Sequence, residues 1–148
     1  MIEFSYNMII KPLKKLWSTV SYMFGDLKIE PKDVNFDELR NHLCFSINVC
    51  NNKDTKMYVK NIKISIEDSN GQVVDFKVYQ YIREEVVGNI NNKTYEQFSS
   101  CSVDKKDIFV AKRLLINVDS KKYIKNKDIY LEYDNHLNKH KKVKLKFE

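Results

Sequence analysis

The chain has 148 residues, of which 43% are hydrophobic and 12% aromatic. This length suits one domain with a buried core, and the composition excludes an intrinsically disordered chain. The formal net charge is +6. Residues 75–148 hold most of it, with 16 basic and 11 acidic side chains, against 10 and 9 in residues 1–74.

Residues 1–25 form a predicted N-terminal amphipathic segment. We expect a helix over residues 12–24, with Pro12 in its first turn and Gly25 after its last. The apolar stripe of this helix could face the domain itself, a membrane interface or a partner's groove. The stripe consists of Leu13, Leu16, Trp17, Val20, Met23 and Phe24.

We predict a cytoplasmic location, and the N-terminal helix could also bring the protein into peripheral contact with a membrane. The first residues lack the pattern of a secretory signal peptide, and no apolar run reaches the roughly 18 residues of a membrane span. Cys44, Cys50 and Cys101 are odd in number and lack metal-ligand spacing. We therefore expect three free thiols in a reducing compartment.

Residues 26–148 are expected to form a single β domain. Its first part, residues 26–41, predicts a short strand at Leu27 and Ile29. Pro31 suits an edge position. A polar connection with at most one helical turn is expected from Asp33 to Leu39.

Residues 42–79 carry three runs in which apolar and polar residues alternate, the pattern of strands with one buried face. The runs comprise Leu43, Phe45, Ile47 and Val49, then Met57, Val59, Ile62, Ile64 and Ile66, then Val74, Phe76 and Val78.

The turn between the last two runs can be predicted from the pairing it would produce. A two-residue loop places Ile66 opposite Asp75, which mixes apolar and charged residues on one face. A three-residue loop pairs Ile66 with Val74, and it matches the apolar positions throughout. We therefore predict a hairpin with a G1 bulge at Gly71, because glycine adopts positive φ without a Cβ penalty. The other two predicted pairs are Ile64 with Phe76 and Ile62 with Val78.

Residues 80–107 have the weakest periodicity and indicate a long polar connection, with turns at Gly88-Asn89 and Asn91-Asn92. Connections on a β scaffold often carry binding residues. We predict an interaction surface here, formed by Tyr79, Tyr81, Arg83 and Tyr95.

The C-terminal third predicts further strands and a closing antiparallel hairpin. Alternation runs through Ile108, Val110, Leu114, Ile116 and Val118, and a short edge strand is expected at Tyr123 and Ile124. In the closing hairpin, a register centred on residue 138 pairs Ile129 with Phe147, Leu131 with Leu145 and Tyr133 with Val143, and leaves Asn135 to Lys141 as the loop.

This end of the chain is also rich in lysine. The lysines could bind a nucleic acid or an anionic membrane surface, or they could form a solvated face that protects a strand edge. The residues of this predicted anion-binding face are Lys121, Lys122, Lys125, Lys127, Lys142, Lys144 and Lys146.

About seven mostly antiparallel strands after one helix resemble the immunoglobulin-like class of β-sandwich. The chain lacks the Cys…Trp…Cys core of antibody domains, because Trp17 lies in the predicted helix. A partly open β-barrel is the alternative fold.

No set of residues predicts a catalytic, cofactor or metal site. His136 and His140 are four apart, but they fall in a predicted loop rather than on a helix face. Residues 68–71 lack the downstream glutamate of a calcium loop. The leading hypothesis is a non-enzymatic module that binds an unknown partner protein, with the N-terminal helix as a docking element. The alternative is binding to a nucleic acid or anionic membrane, and a small enzyme with a novel site ranks third.

Overall fold

The computed structural model describes residues 27–118, 124 and 127–147, and this part of the chain is all-β. The predicted helix and its apolar stripe lie outside the described residues. The strands are β1 (Lys28–Asp37), β2 (His42–Asn51), β3 (Met57–Glu67), β4 (Val73–Lys77), β5 (Tyr79–Val87), β6 (Ile90–Gln97), β7 (Cys101–Val103), β8 (Asp107–Asn117), β9 (Asp128–Asp134) and β10 (His140–Lys144).

Two antiparallel sheets pack into a sandwich-like fold, which confirms the predicted class at that level. Sheet 1 has the strand order β1-β2-β8-β5-β6, and sheet 2 has the order β10-β9-β3-β4. The short strand β7 pairs with the first residues of β3. The alternating residues predicted on β2 and β3 supply much of the core. Its largest fully buried side chains are Phe45, Leu43, Ile47, Met57, Ile64, Ile66, Leu114, Ile116, Ile129 and Leu131.

The hairpin between β3 and β4 has the predicted register. Ile66 lies opposite Val74, and Ile64 lies opposite Phe76. Gly71 has a φ of 78°, and its N–H donates to the Asp68 carbonyl at 3.0 Å. The three-residue loop with a left-handed glycine is therefore confirmed. The third predicted pair, Ile62 with Val78, is buried but lies outside this ladder.

The register predicted for the closing hairpin was wrong by two residues. Val143 lies opposite Leu131 rather than opposite Tyr133. The predicted loop of residues 135–141 is too long, because Asn138 adopts a φ of 60° and closes a three-residue turn that the sequence signals only weakly. The shift preserves the inward face, since a displacement of two residues returns each side chain to the same side of the strand.

The polar connection predicted from Asp33 to Leu39 instead belongs to strand β1 as far as Asp37, and its last two residues lie in a turn. A bulge lies between Lys32 and Asn35, and Asp33 within it has a φ of 53°. The side chains that face the core therefore change from odd positions, such as Ile29, to even positions, such as Val34. Because of this change, the sequence of β1 shows no regular alternation of apolar and polar residues along its whole length. The edge position of Pro31 is confirmed, because β1 is an outer strand of sheet 1.

The long connection predicted over residues 80–107 was also wrong, because β5, β6 and β7 occupy most of it. The turn at Gly88-Asn89 is present, whereas Asn91-Asn92 lies inside β6. Most side chains of β5 and β6 are exposed on both faces, so these strands carry no alternating pattern. Of the edge strand predicted at Tyr123 and Ile124, Tyr123 lies outside the described residues, and Ile124 lies in a turn. The described residues thus contain ten strands instead of about seven.

Candidate binding groove

An open cavity of about 540 Å³ lies on the face of sheet 1 that is turned away from the core, and we call it the outer groove. Side chains of β1 and β6 both line it, although these strands occupy opposite ends of the sheet. A flat sheet of five strands would hold its two edge strands about 19 Å apart. The outer face of sheet 1 is therefore concave, and its two ends form the groove walls.

The floor of the outer groove follows from the alternation along β2. Leu43 and Phe45 point into the core, so the side chains of His42, Cys44 and Ser46 point to the opposite face. These three residues are half-buried, although they lie on an outer face, because the walls rise on both sides of them. The same pattern that builds the core thus places a histidine and a thiol on the groove floor.

Aromatic rings occupy the side of the groove formed by β5 and β6. Tyr81 and Tyr95 meet edge to face with their ring centroids 5.7 Å apart, and the His42 ring lies 6.3 Å from Tyr95 in a similar orientation. The guanidinium of Arg113 lies 5.3 Å from the centroid of the Tyr81 ring, a favourable cation–π distance. Arg113 reaches this position from a bulge in β8, where its φ is 59°.

The wall formed by β1 and the turn after it carries an excess of negative charge. Asp33, Asp37 and Arg40 line this wall. Arg40 and Asp37 approach to 3.9 Å, and both are partly exposed. Such a pair contributes little to stability, and its groups remain available to a ligand.

The opposite wall carries an excess of positive charge. Lys93 on β6, Arg113 on β8 and Glu84 on β5 line it. The groove therefore has two walls of opposite excess charge, with tyrosine rings and a histidine between them. This arrangement suits a ligand that carries both signs of charge, rather than a uniformly anionic one.

Burial controls the protonation of the two titratable groups on the floor. Burial lowers the pKa of His42, and the negative charge of Asp37 opposes that shift. Burial also raises the pKa of the Cys44 thiol, with a further increase from Asp37. Near neutral pH, His42 is therefore mostly uncharged and Cys44 is a thiol rather than a nucleophilic thiolate. The floor offers hydrogen bonding and apolar contact more readily than covalent chemistry.

The predicted tyrosine surface divides between two cavities. Tyr81 and Tyr95 line the outer groove, and Tyr79 lines an adjoining cavity of about 230 Å³ that also contacts Tyr95. Arg83 does not line either cavity; its guanidinium contacts Glu85 at 3.2 Å. Sequence reasoning missed His42 and Arg113. The signal for Arg113 was the break in alternation between the buried residues Ala111 and Leu114.

The predicted anion-binding face is only partly described, because Lys121, Lys122 and Lys125 lie outside the described residues. Lys144 forms an ion pair with Asp128 at 3.0 Å. The ammonium of Lys142 lies 4.3 Å from the centroid of the Tyr130 ring. The side chains of Lys142 and Lys144 are thus engaged within the protein, which leaves less positive charge on this edge for an anion. Lys127 lies next to β9, and Lys146 lies after β10.

His140 lies between two carboxylates on β9. Its Nε2 atom is 2.7 Å from Glu132, and its Nδ1 atom is 3.0 Å from Asp134. Both ring nitrogens must carry a proton to donate to two carboxylates, and these hydrogen bonds raise the pKa of His140. Within residues 27–118, 124 and 127–147, no cluster of histidine, cysteine or carboxylate side chains is arranged to hold a metal ion.

Comparisons with known proteins give no family for this chain. No family model matches it, and no curated protein does. Similar solved structures include a Northeast Structural Genomics Consortium target, with 11% identity, a TM-score of 0.42 and coverage of 82% of this chain and 83% of that one. Another is a putative ApaA protein from Bordetella pertussis, with 8% identity, a TM-score of 0.36 and coverage of 82% and 87%. In the described part of the chain, no helix is long and apolar enough to cross a membrane.

Proposed function

We propose that this chain is a non-enzymatic protein-interaction module that binds a segment of a partner protein in the outer groove. The supporting observation is the convergence of Tyr81, Tyr95 and Arg113 from three strands on one concave surface. Tyrosine and arginine are the residues most enriched at the centres of protein interfaces, because they combine large contact area with hydrogen bonding.

The charges of the groove favour a polypeptide as its ligand. A segment with a basic side chain near Asp33 and Asp37, and an acidic side chain near Lys93 and Arg113, would match both walls. A nucleic acid would meet repulsion from the carboxylates of the first wall. We therefore expect a ligand that contains residues of both charges.

The protonation states of Cys44 and His42 on the groove floor support binding rather than catalysis. The raised pKa of Cys44 and the lowered pKa of His42 both oppose a thiolate–imidazolium pair. The free thiols of Cys44, Cys50 and Cys101 support action in a reducing compartment, and we propose the cytoplasm.

We also infer that the sandwich is of the immunoglobulin-like class and that the N-terminal helix is a docking element. Two facing antiparallel sheets support the first inference. The apolar stripe around Trp17 supports the second. Liposome flotation of the full chain, compared with a chain lacking residues 1–25, separates membrane docking from packing on the domain.

The test of the groove uses two tyrosines of similar exposure. Peptides are selected from a random library against the full chain, and the affinity of the best peptide is then measured for Tyr95→Ala and Tyr58→Ala. Tyr95 is 37% exposed in the groove, and Tyr58 is 46% exposed on β3 outside it. We expect about a tenfold loss of affinity for Tyr95→Ala and no more than about a twofold loss for Tyr58→Ala.

Two results would contradict the proposed function. Equal affinities of the two variants would place peptide binding outside the groove. Turnover of a substrate that a single groove substitution abolishes would show an enzyme instead.

A second candidate function is binding to a polyanion, either a nucleic acid or an anionic membrane, through the lysine-rich end. Lys142 and Lys144 on the edge strand β10, followed by Lys146, support it. The test is salt dependence, because neutralising phosphates makes affinity fall steeply as salt rises. Affinity for duplex DNA or for phosphatidylserine vesicles that stays constant between low and high salt would exclude this candidate.

A further inference from the structure

Sheet 1 is interrupted between β5 and β8. These strands pair at Tyr79 with Leu115 and at Gln80 with Leu114, and the ladder then ends. Bulges on both strands accompany the separation, one between Tyr81 and Arg83 in β5 and one before Leu114 in β8. Residues 107–112 of β8 consequently have β2 on one side and no strand partner among the described residues on the other.

The open side of β8 presents backbone groups of alternate residues. The Lys112 carbonyl accepts a hydrogen bond at 3.2 Å from the side chain of Gln80 on β5, so this carbonyl points away from β2. The N–H of Ile108 donates at 2.8 Å to the side chain of Asp107. In an antiparallel ladder, alternate residues direct both backbone groups to the same side. The N–H and C=O of Val110, midway between these two residues, therefore also point to the open side.

Apolar side chains accompany these backbone groups. Ile108 is 58% exposed and Val110 is 47% exposed, and both lie on the outer face of sheet 1. Between them, Phe109 faces the core and packs against it. Two large aliphatic side chains at alternate positions beside an open strand edge form a surface that another extended strand would cover.

The middle of this edge, residues 108–111, lacks the features that protect the edges at β1 and β10. β1 carries Pro31 and a bulge, and β10 carries Lys142 and Lys144. Proline, bulges and lysine all discourage pairing with a further strand. Residues 108–111 of β8 contain no charge and no proline.

We propose that residues 107–112 of β8 accept an extended segment of the partner protein as an added strand. The proposal rests on the proposed function and specifies its binding mode, because Arg113 and Leu114, which follow this edge, line the outer groove. The segment carries aliphatic residues at alternate positions, which cover Ile108 and Val110. Charges of opposite sign complement Asp107 and Lys112, which lie at the two ends of the edge.

Amide hydrogen exchange tests the backbone contact. In the free full-length chain, we expect the Val110 amide to exchange rapidly, although it lies within a long strand. Addition of the best peptide from the random library should slow this exchange by about tenfold or more, because the amide then donates to the peptide. A peptide N-methylated at alternate residues, which lacks the donors on one edge, should not protect Val110.

Substitutions at Val110 separate the backbone contribution from that of the side chain. Val110→Pro removes the N–H and should weaken peptide affinity about tenfold or more, whereas Val110→Ala keeps the N–H and should weaken it about two- to threefold. The N–H points away from β2, so proline leaves the β2–β8 ladder intact. If Val110→Pro fails to fold, the N-methylated peptide gives the same test on the unaltered chain.

The first three of the following results would overturn the proposal, and the fourth would overturn only the assignment to the outer groove. Protection of Val110 in the free chain at all concentrations would assign the edge to another segment of this chain. Protection that increases with protein concentration would assign it to a second copy. Affinity lost in Tyr95→Ala but unchanged in Val110→Pro would retain groove binding and exclude strand addition. Affinity unchanged in Tyr95→Ala but lost in Val110→Pro would retain strand addition and reject the groove.

Discussion

Two hairpin turns of this protein have nearly the same geometry but different sequences. In the first turn, residues 68–72, the Asp68 side chain accepts hydrogen bonds from the N–H groups of Asn70 and Gln72 at 2.9 and 2.8 Å. In the second turn, residues 135–139, the Asn135 side chain accepts from Leu137 and Lys139 at 2.9 and 3.0 Å. Each turn is closed by a residue in the left-handed region, Gly71 with φ 78° or Asn138 with φ 60°.

The two turns differ in the residue at the left-handed position and in burial. Glycine adopts positive φ freely, whereas asparagine does so at some cost. Asn135 is only 2% exposed, and Asp68 is more exposed. The first turn thus depends most on its glycine, and the second depends most on its buried side chain. The same difference explains why the register of the first hairpin could be predicted and that of the second could not.

The largest effect is expected for Asn135→Ala. This change removes the acceptor of two part-buried hydrogen bonds, and it should lower the free energy of unfolding by about 2 kcal/mol. The matching change in the first turn, Asp68→Ala, should cost about 1 kcal/mol, because water can reach the released groups there. Urea denaturation measures both values. Equal losses in the two turns would contradict the role assigned to burial.

The next effect is expected for Gly71→Ala. A Cβ atom at this position would have no neighbour within 4 Å, so the cost comes only from the backbone conformation. We expect a loss of about 1 kcal/mol in the free energy of unfolding. Gly71→Asn is the control, because asparagine already occupies the equivalent position in the second turn, and it should cost less than Gly71→Ala.

A smaller effect of opposite sign is expected for Asn138→Gly. Replacing asparagine at positive φ should raise the free energy of unfolding by about 0.5 kcal/mol, because the relief of strain exceeds the added freedom of the unfolded chain. The control is Asn52→Gly, since Asn52 is exposed and is not among the positive-φ residues. A gain in the control equal to that of Asn138→Gly would reject this explanation.

The smallest effect is a dependence on pH that only the second hairpin should show. Hydrogen bonds to Glu132 and Asp134 raise the pKa of His140. The stabilisation that these bonds give to the hairpin is therefore complete below the ordinary histidine pKa of 6.5, and it is lost as pH rises through the raised pKa. Hydrogen bonds from Asn61 and then from His140 lower the pKa of Asp134. Burial raises the pKa of Glu132, but hydrogen bonds from Ser65 and His140 lower it overall, so stabilisation is also lost in acid as pH falls through the two carboxylate pKa values.

Amide hydrogen exchange of β9 and β10, measured between pH 5 and 9, tests this dependence of hairpin stability on pH. The first hairpin supplies an internal reference, because its cross-strand pair is Lys63 with Asp75 at 3.0 Å. Those contacts raise the pKa of Lys63 above its ordinary value of 10.5, so the lysine stays charged across this range. His140→Asn should abolish the extra pH dependence of the second hairpin. Persistence of that dependence in the variant would assign it to another group.

The outer groove could be predicted only in part, for reasons that its residues make clear. The weakly periodic polar stretch predicts an interaction surface that includes Tyr81 and Tyr95, and the structure brings both into the groove. Arg83 belongs to the same predicted surface but lies outside the groove, because the bulge in β5 alters the direction of the side chains. His42 and Arg113 lie 71 positions apart in the sequence, so no local pattern could join them.

The sequence by itself determined the strands with one buried face and the first turn. In these regions, the alternation of Leu43, Phe45 and Ile47 and the placement of Gly71 are local signals with a single physical meaning. Only the tertiary structure decided where strands change parity, where β5 leaves β8, and which side chains share the concave face. Two of the bulges, in β1 at Asp33 and in β8 at Arg113, place these residues at positive φ. A bulge depends on how neighbouring strands pair, and the residues of one strand alone do not specify that pairing.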